Sequence, residues 1–267
     1  MTCAVLVVGA HPDDEVLLAG GMLAAAAADG HATAVACLTR GELGPVSDAA
    51  LLRGRSLGDV RAEELRAACA ALGVTRVRGW RRADGMLAWT PRRALARQLA
   101  REMERLEPEA VVSFGADGLY GHPDHVATGA IGRLACELYN AAGARSRRCG
   151  AAFFEALWPN ALSARLVGAL RARGLPADLW GMSADEFGAS PAEMAGAVAV
   201  DVRAVATTKL RALRAHGSQL GCDHALHTLP EALAPQLLGV EWLRRVEGVG
   251  PDGWLQRRWR AGSDDRA

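Results

Sequence analysis

The chain has 267 residues, half of them hydrophobic, with 31 Lys and Arg against 30 Asp and Glu. That length and apolar share suit one large α/β domain with a substantial core. A formal net charge of +1, with the two signs interspersed, provides no field for nucleic acid or an anionic membrane, so both are excluded as partners.

In chain order, residues 3–8 read as a buried strand and 15–29 as a helix stopped by Gly30. The N-terminus enters this strand without a positive leader region. The Ala-rich run at 23–28 is too short to span a bilayer, so the expected location is the cytoplasm. A second buried strand follows at 33–38. Residues 59–72 read as a helix that Asp59 caps and Gly73 ends, with Ala62, Leu65, Ala68, Cys69 and Leu72 as its apolar stripe. Val77 opens a short third strand. Residues 91–107 form a helix with Pro91 as its first residue and Pro108 past its end. A fourth strand at 110–114 and a helix at 123–142 complete a β-α-β-α rhythm, the signature of a Rossmann-like, mostly parallel sheet flanked by helices.

Beyond Gly150 the pattern weakens. Residues 151–156 read as a strand, 161–173 as a helix, and 175–191 as a loop carrying Trp180 and Phe187 that can cover a site. A strand at 197–202, a helix at 205–216 and a last element at 240–246 follow. There is no internal repeat and no Pro- or Ser-rich linker, so residues 1–262 are expected to be one domain and 263–267 a disordered tail. The six cysteines, Cys3, Cys37, Cys69, Cys136, Cys149 and Cys222, show no CxxC spacing and read as small hydrophobes.

Two segments carry the chemistry. Ala10-His11-Pro12-Asp13-Asp14-Glu15 follows the first strand, and Tyr120-Gly121-His122-Pro123-Asp124-His125 follows the fourth. In an open α/β sheet both loops face the carboxyl edge, where ligands gather. Catalytic zinc takes three nitrogen or oxygen ligands and leaves one position open. His11, Asp14 and His125 supply two imidazoles and a carboxylate, a set that also suits Fe(II) or Co(II). Asp13 is then free to act as a base on water, His122 to stabilise an oxyanion when protonated, Asp124 to orient an imidazole, and Tyr120 to donate to a carbonyl.

On these residues the chain resembles the LmbE-like, or PIG-L, family of zinc-dependent de-N-acetylases. Both motifs match in full. Softer similarity covers 39–44, 61–64, Asp84-Gly85, and Lys209, His216, Ser218 and Gln219. The resemblance implies His11, Asp14 and His125 as zinc ligands and Asp13 as the general base. It implies His122 as the group that stabilises the tetrahedral intermediate, Asp124 as its orienting partner and Tyr120 as a carbonyl-polarising phenol. It also implies hydrolysis of an N-acetyl group on an amino sugar or its conjugate. Polar residues outside the motifs are candidate sugar contacts, each with a structural alternative. Arg61 can instead pair with Glu64, Asp84 can make an Asx turn, and Arg40 and Glu42 can form a loop salt bridge. Lys209 and His216 share a helix face, where a helix end also favours His. His224 and His227 lack the supporting ligands for a second metal site.

Three alternatives stay open or are set aside. The same chemistry serves an amidase for a larger acyl group, as on a mycothiol S-conjugate or a natural-product glycoside. A non-catalytic sugar-binding protein fits less well, because ligands and base are intact. A nucleotide-binding oxidoreductase is disfavoured, since Gly9-Ala10-His11-Pro12-Asp13-Asp14 puts two carboxylates where a pyrophosphate would lie. Homo-oligomerisation is left open.

Overall fold

The structure, a computed structural model, describes residues 3–146 and 150–251. Its strands are β1 (Cys3–Gly9), β2 (Ala32–Thr39), β3 (Arg76–Arg82), β4 (Pro108–Phe114), β5 (Ala152–Leu157), β6 (Val198–Asp201) and β7 (Val240–Arg245). The longer helices are α1 (Asp14–Ala28), α2 (Leu57–Ala71), α3 (Arg92–Leu106), α4 (Pro123–Ser146), α5 (Asn160–Arg171) and α6 (Ala206–Arg214).

All seven residues of β1 are buried, as its unbroken apolar run requires of a strand covered on both faces. The strand order is β3-β2-β1-β4-β5-β7-β6. The strands from β3 to β5 pair in parallel, whereas β7 pairs antiparallel with both β5 and β6. Helices α1 and α2 pack with α6, and α3 packs with α4. Successive strands are added on one side of β1 as far as β3 and then, from β4, on its other side, which makes the crevice beyond the carboxyl ends of β1 and β4 the switch point for a ligand. One hydrophobic core runs through the described residues from Cys3 to Val249.

The structure corrects several local expectations. Helix α2 begins at Leu57 because Ser56 caps it: its Oγ accepts the Asp59 amide at 3.2 Å. Asp59 lies inside the first turn and pairs with Arg40 at 2.6 Å. Pro91 is the N-cap of α3 rather than its first helical residue. The third strand is seven residues long, and its arginines keep an exposed sheet edge charged. Helix α1 is interrupted at Ala19, whose ψ is 34° at a φ of −160°. The carboxylate of Glu241 accepts the Gly21 and Met22 amides at 2.7 and 2.9 Å. Lys209 neutralises that carboxylate at 2.6 Å, with both side chains buried. Cys149 and the tail at 263–267 lie outside the described residues.

Candidate metal and catalytic site

The first motif turns sharply out of β1. Gly9 is required there, since a Cβ at this position would sit 2.8 Å from the Cβ of Asp14. Asp14 folds back so that its Oδ2 accepts the amides of Ala10 and His11 at 2.8 and 2.7 Å. Asp13 carries a φ of 107°, a strained value for a residue with a side chain. Its amide donates to Glu15 Oε2 at 3.0 Å, and its carbonyl starts α1 by accepting the Val16 amide at 3.1 Å. The second motif follows a short helical turn, Gly118–Gly121, in which Leu119 has a φ of 66°. That turn sets Tyr120 beside the histidines, edge-on to His125 at 5.1 Å.

His11 Nδ1 and His125 Nε2 stand 3.2 Å apart. Asp14 Oδ1 lies 3.4 Å from His125 Nε2, and Oδ2 lies 3.8 Å from His11 Nδ1. Ligand atoms about 2.0–2.1 Å from a tetrahedral ion lie roughly 3.3 Å from one another, so the spacing suits one ion. The opposite ring nitrogens are already occupied. His125 Nδ1 donates to Gly118 O at 3.0 Å, and His11 Nε2 faces Asp84 Oδ1 at 3.0 Å and Asp124 Oδ2 at 3.5 Å. Protons on those nitrogens leave Nδ1 of His11 and Nε2 of His125 bare, the arrangement typical of metal-ligating histidine. Donor clusters in which His11 joins His122 and His125, or Asp84 and Asp124, also lie close enough to hold an ion. The second uses the nitrogen that Asp84 and Asp124 already engage, so we favour the Nδ1 side.

Electrostatics agree with that fit. Burial alone would lower the His11 imidazole, but the Asp124, Asp84 and Asp14 carboxylates outweigh it and raise it to about 10. The carboxylates around His11 thus favour a cation at its Nδ1, either a second proton or an ion that takes its place. Burial, then the charge on His11, holds His125 well below the ordinary histidine range. Burial raises Asp13 to about 6, against the pull of Arg61 and with a push from Asp14.

Arg61 is itself buried. It donates to Gly41 O at 2.8 Å and Pro12 O at 2.7 Å, and it meets Asp13 Oδ2 at 3.2 Å. Gly41, at a φ of 61°, is the only residue type that fits there, because a Cβ would fall 2.2 Å from the guanidinium. His122 Nδ1 accepts the Asp124 amide at 3.2 Å, which leaves its proton on Nε2. Burial, then the nearby His11, lowers the His122 ring. That shift favours the neutral ring, in which Nε2–H is the donor that faces the cavity. Asp124 differs from expectation: its carboxylate accepts the Gly85 and Leu87 amides at 2.8 and 2.9 Å and faces His11, and only its backbone reaches His122.

A cavity of about 440 Å³ opens over this cluster and is lined by His11, Asp13, Asp14, Tyr120, His122 and His125, together with Arg61, Asp84 and Gln219. The other candidate sugar contacts do not line it. Arg40 is paired with Asp59, and Glu42 accepts the Asp84 amide at 3.1 Å. Lys209 is committed to Glu241. His216, fully buried, meets Glu15 Oε1 at 2.7 Å and so stands behind the residue that holds the Asp13 amide. His224 Nδ1 accepts the Leu226 amide at 3.1 Å, and His224 and His227 join no donor cluster among the described residues. The loop at 175–191, expected to cover a site with its Trp180, does supply Trp180 and Met182 to the lining; Met182 and Leu43 carried no signal of their own in the sequence.

Comparison with known proteins gives a family and a fold. The profile of a family described as "PIG-L: GlcNAc-PI de-N-acetylase" matches residues 6–136. A Thermobispora bispora protein named 1D-myo-inositol 2-acetamido-2-deoxy-alpha-D-glucopyranoside deacetylase is 33% identical over 92% of this chain and 89% of its own length. Among solved structures, the N,N'-diacetylchitobiose deacetylase of Pyrococcus horikoshii superposes with a TM-score of 0.61 at 19% identity, covering 92% of this chain and 84% of that one. GalB of Pseudomonas putida, a 4-carboxy-2-hydroxymuconate hydratase, does so at 0.60 and 23% identity over 92% of this chain and 96% of that one. These two likenesses show the fold.

Proposed function

The chain belongs to the PIG-L family of de-N-acetylases, and from that membership we propose that it hydrolyses the N-acetyl group of an amino-sugar conjugate of the N-acetylglucosamine type. The observation that carries this reading is one juxtaposition. The bare nitrogens of His11 and His125 and the Asp14 carboxylate converge at 3.2–3.8 Å, with Asp13 beside them on the same cavity.

His11, Asp14 and His125 would hold the ion, and zinc is the natural choice for two imidazoles and a carboxylate, with Fe(II) or Co(II) also suited. When bound, such an ion supplies Lewis acidity to the acyl carbonyl and makes water a better nucleophile at neutral pH. Asp13, raised to about 6, removes the proton from the attacking water. Arg61 keeps that carboxylate aimed and balances its charge. The Nε2–H of His122 and the phenol of Tyr120 donate to the carbonyl oxygen as it gains negative charge. As the C–N bond breaks, Asp13 returns the proton to the departing sugar nitrogen, leaving a free amine and acetate. Gln219 and Arg61 meet sugar hydroxyls at the wall. Asp84, assigned to sugar from the sequence, serves to anchor His11 Nε2.

We further read residues 1–262 as one catalytic domain acting in the cytoplasm. The free, buried thiols of Cys3, Cys37, Cys69 and Cys136 support a reducing compartment. Among the described residues no helix is long and apolar enough to cross a membrane. The test is release of free amine by zinc-loaded protein from N-acetylglucosamine and from its inositol and malate conjugates. Turnover with stoichiometric acetate is expected for at least one. Release of a longer acid from an acyl-sugar panel, with every acetyl substrate inert, would replace deacetylation by amidase action on a larger acyl group.

A further inference from the structure

Trp180 borders the same cavity as the metal donors, yet no step of the proposed hydrolysis uses it. Its φ is 52°, in the left-handed region that a bulky side chain avoids. Packing holds it there from behind. Its ring centroid lies 4.1 Å from that of His224 and 5.5 Å from that of Phe187. His224 is fixed in turn by its cap on Leu226 and by a bridge to Asp178, whose carboxylate also accepts the Gly181 amide at 3.0 Å. Phe187 stacks on Tyr120 at 5.7 Å and 24°. The indole is therefore a pre-set wall and not a free loop side chain. Strain retained at such a place is characteristic of a ligand clamp.

The cavity lining is chemically mixed. Arg61, Asp84 and Gln219 are polar members, whereas Trp180 and Met182, from one loop, and Leu43, whose amide donates to Asp84 Oδ2 at 2.8 Å, offer no charge. Leu43 is 74% exposed, so its position owes nothing to core burial. A Cβ at Gly85 would lie 3.6 Å from Leu43 Cδ1, which sets this leucine over the loop that carries Asp84.

We propose that the Trp180 side of the cavity is an aglycone subsite: Trp180, with Met182 from the same loop, stacks on a flat apolar ring attached to the amino sugar. The substrate class is then an aryl glycoside of N-acetylglucosamine, preferred over a cyclitol or simple alkyl glycoside. The inference rests on the deacetylase reading and deepens it.

The test uses zinc-loaded protein and calorimetric binding of the phenyl, methyl and myo-inosityl glycosides of glucosamine, which are products and are not turned over. The phenyl glycoside is expected to bind about tenfold more tightly than the methyl one, as an added aromatic contact implies. Trp180→Ala should erase that preference and leave methyl glycoside binding within about twofold, while Trp180→Phe should keep most of it. Equal binding of phenyl and methyl glycosides by the wild type, tighter binding of the inosityl glycoside, or equal losses for all ligands in Trp180→Ala would overturn the subsite. Free-amine release from the N-acetyl forms separates the two readings. Deacetylation without a phenyl preference refutes the subsite alone, and a phenyl preference in binding with no deacetylation of any glycoside refutes the hydrolase alone.

Discussion

At the scale of single residues, the site depends on which ring nitrogen each histidine leaves free. Asp84 and Asp124 occupy Nε2 of His11, and Gly118 O occupies Nδ1 of His125. Asp84→Asn removes the charge that anchors His11 without emptying the space. Loss of such an outer partner costs about 10–100-fold in metal affinity. Titration with a chelator should show that loss with KM for substrate little changed; a raised KM at wild-type metal affinity would return Asp84 to the sugar contacts. His224 gives a second prediction, argued from pH. Burial, partly offset by Asp178 and Asp223, lowers it to about 4, with His227 adding a small push the same way. Its folded-state pKa is thus below the unfolded value of about 6.5, so the unfolded chain takes the proton first. The associated stability is complete above about pH 6.5 and is lost as pH falls towards 4, by up to roughly 3 kcal/mol. His224→Asn retains an acceptor for the Leu226 amide and should flatten this part of the stability curve between pH 7 and 4. Parallel curves for the two proteins would show that His224 does not carry it.

At the scale of elements, α1 is broken at Ala19, and a distant pair stabilises the break. Glu241 replaces the lost helical carbonyls for Gly21 and Met22, and Lys209 compensates its charge. Lys209→Met leaves a buried carboxylate alone and should destabilise the fold by about 3–5 kcal/mol, readable by denaturant unfolding. Adding Glu241→Gln should recover part of that loss, and a double variant no more stable than the single one would contradict the charge argument. The same region shows what sequence reading reaches. The β-α-β-α half was legible because each element carries its own period and stop signals, such as the apolar run of β1 and Gly30 after α1. The convergence of the proposed donors His11, Asp14 and His125 was legible because both motifs are contiguous and follow strands. The partners of Lys209 and His216 were not, since Glu241 and Glu15 lie 32 and 201 residues away. Helix periodicity showed that the two residues share a face but could not tell a cavity from a buried carboxylate. Nor could local pattern reveal that β7 inserts antiparallel between β5 and β6.

At the scale of the whole molecule, the sheet order brings loops more than a hundred residues apart to one crevice, between β1 and β4. The fold alone does not choose the reaction, as the likeness to a hydratase illustrates. Function therefore rests on the donor set and on Asp13. Because that donor set joins the two halves of the parallel sheet, metal should stabilise the entire fold. Zinc at about 1,000 times its Kd adds about 4 kcal/mol, or roughly 8–16 °C in Tm for a chain of this size. An unchanged Tm at saturating zinc would argue against a site formed only in the folded state. The most direct test of the account compares wild type with Asp13→Ala, measuring bound zinc and amine release on the same samples. The account predicts one zinc per chain in both proteins and a loss of turnover of at least about a hundredfold in the variant. A variant with full zinc and wild-type turnover would contradict it.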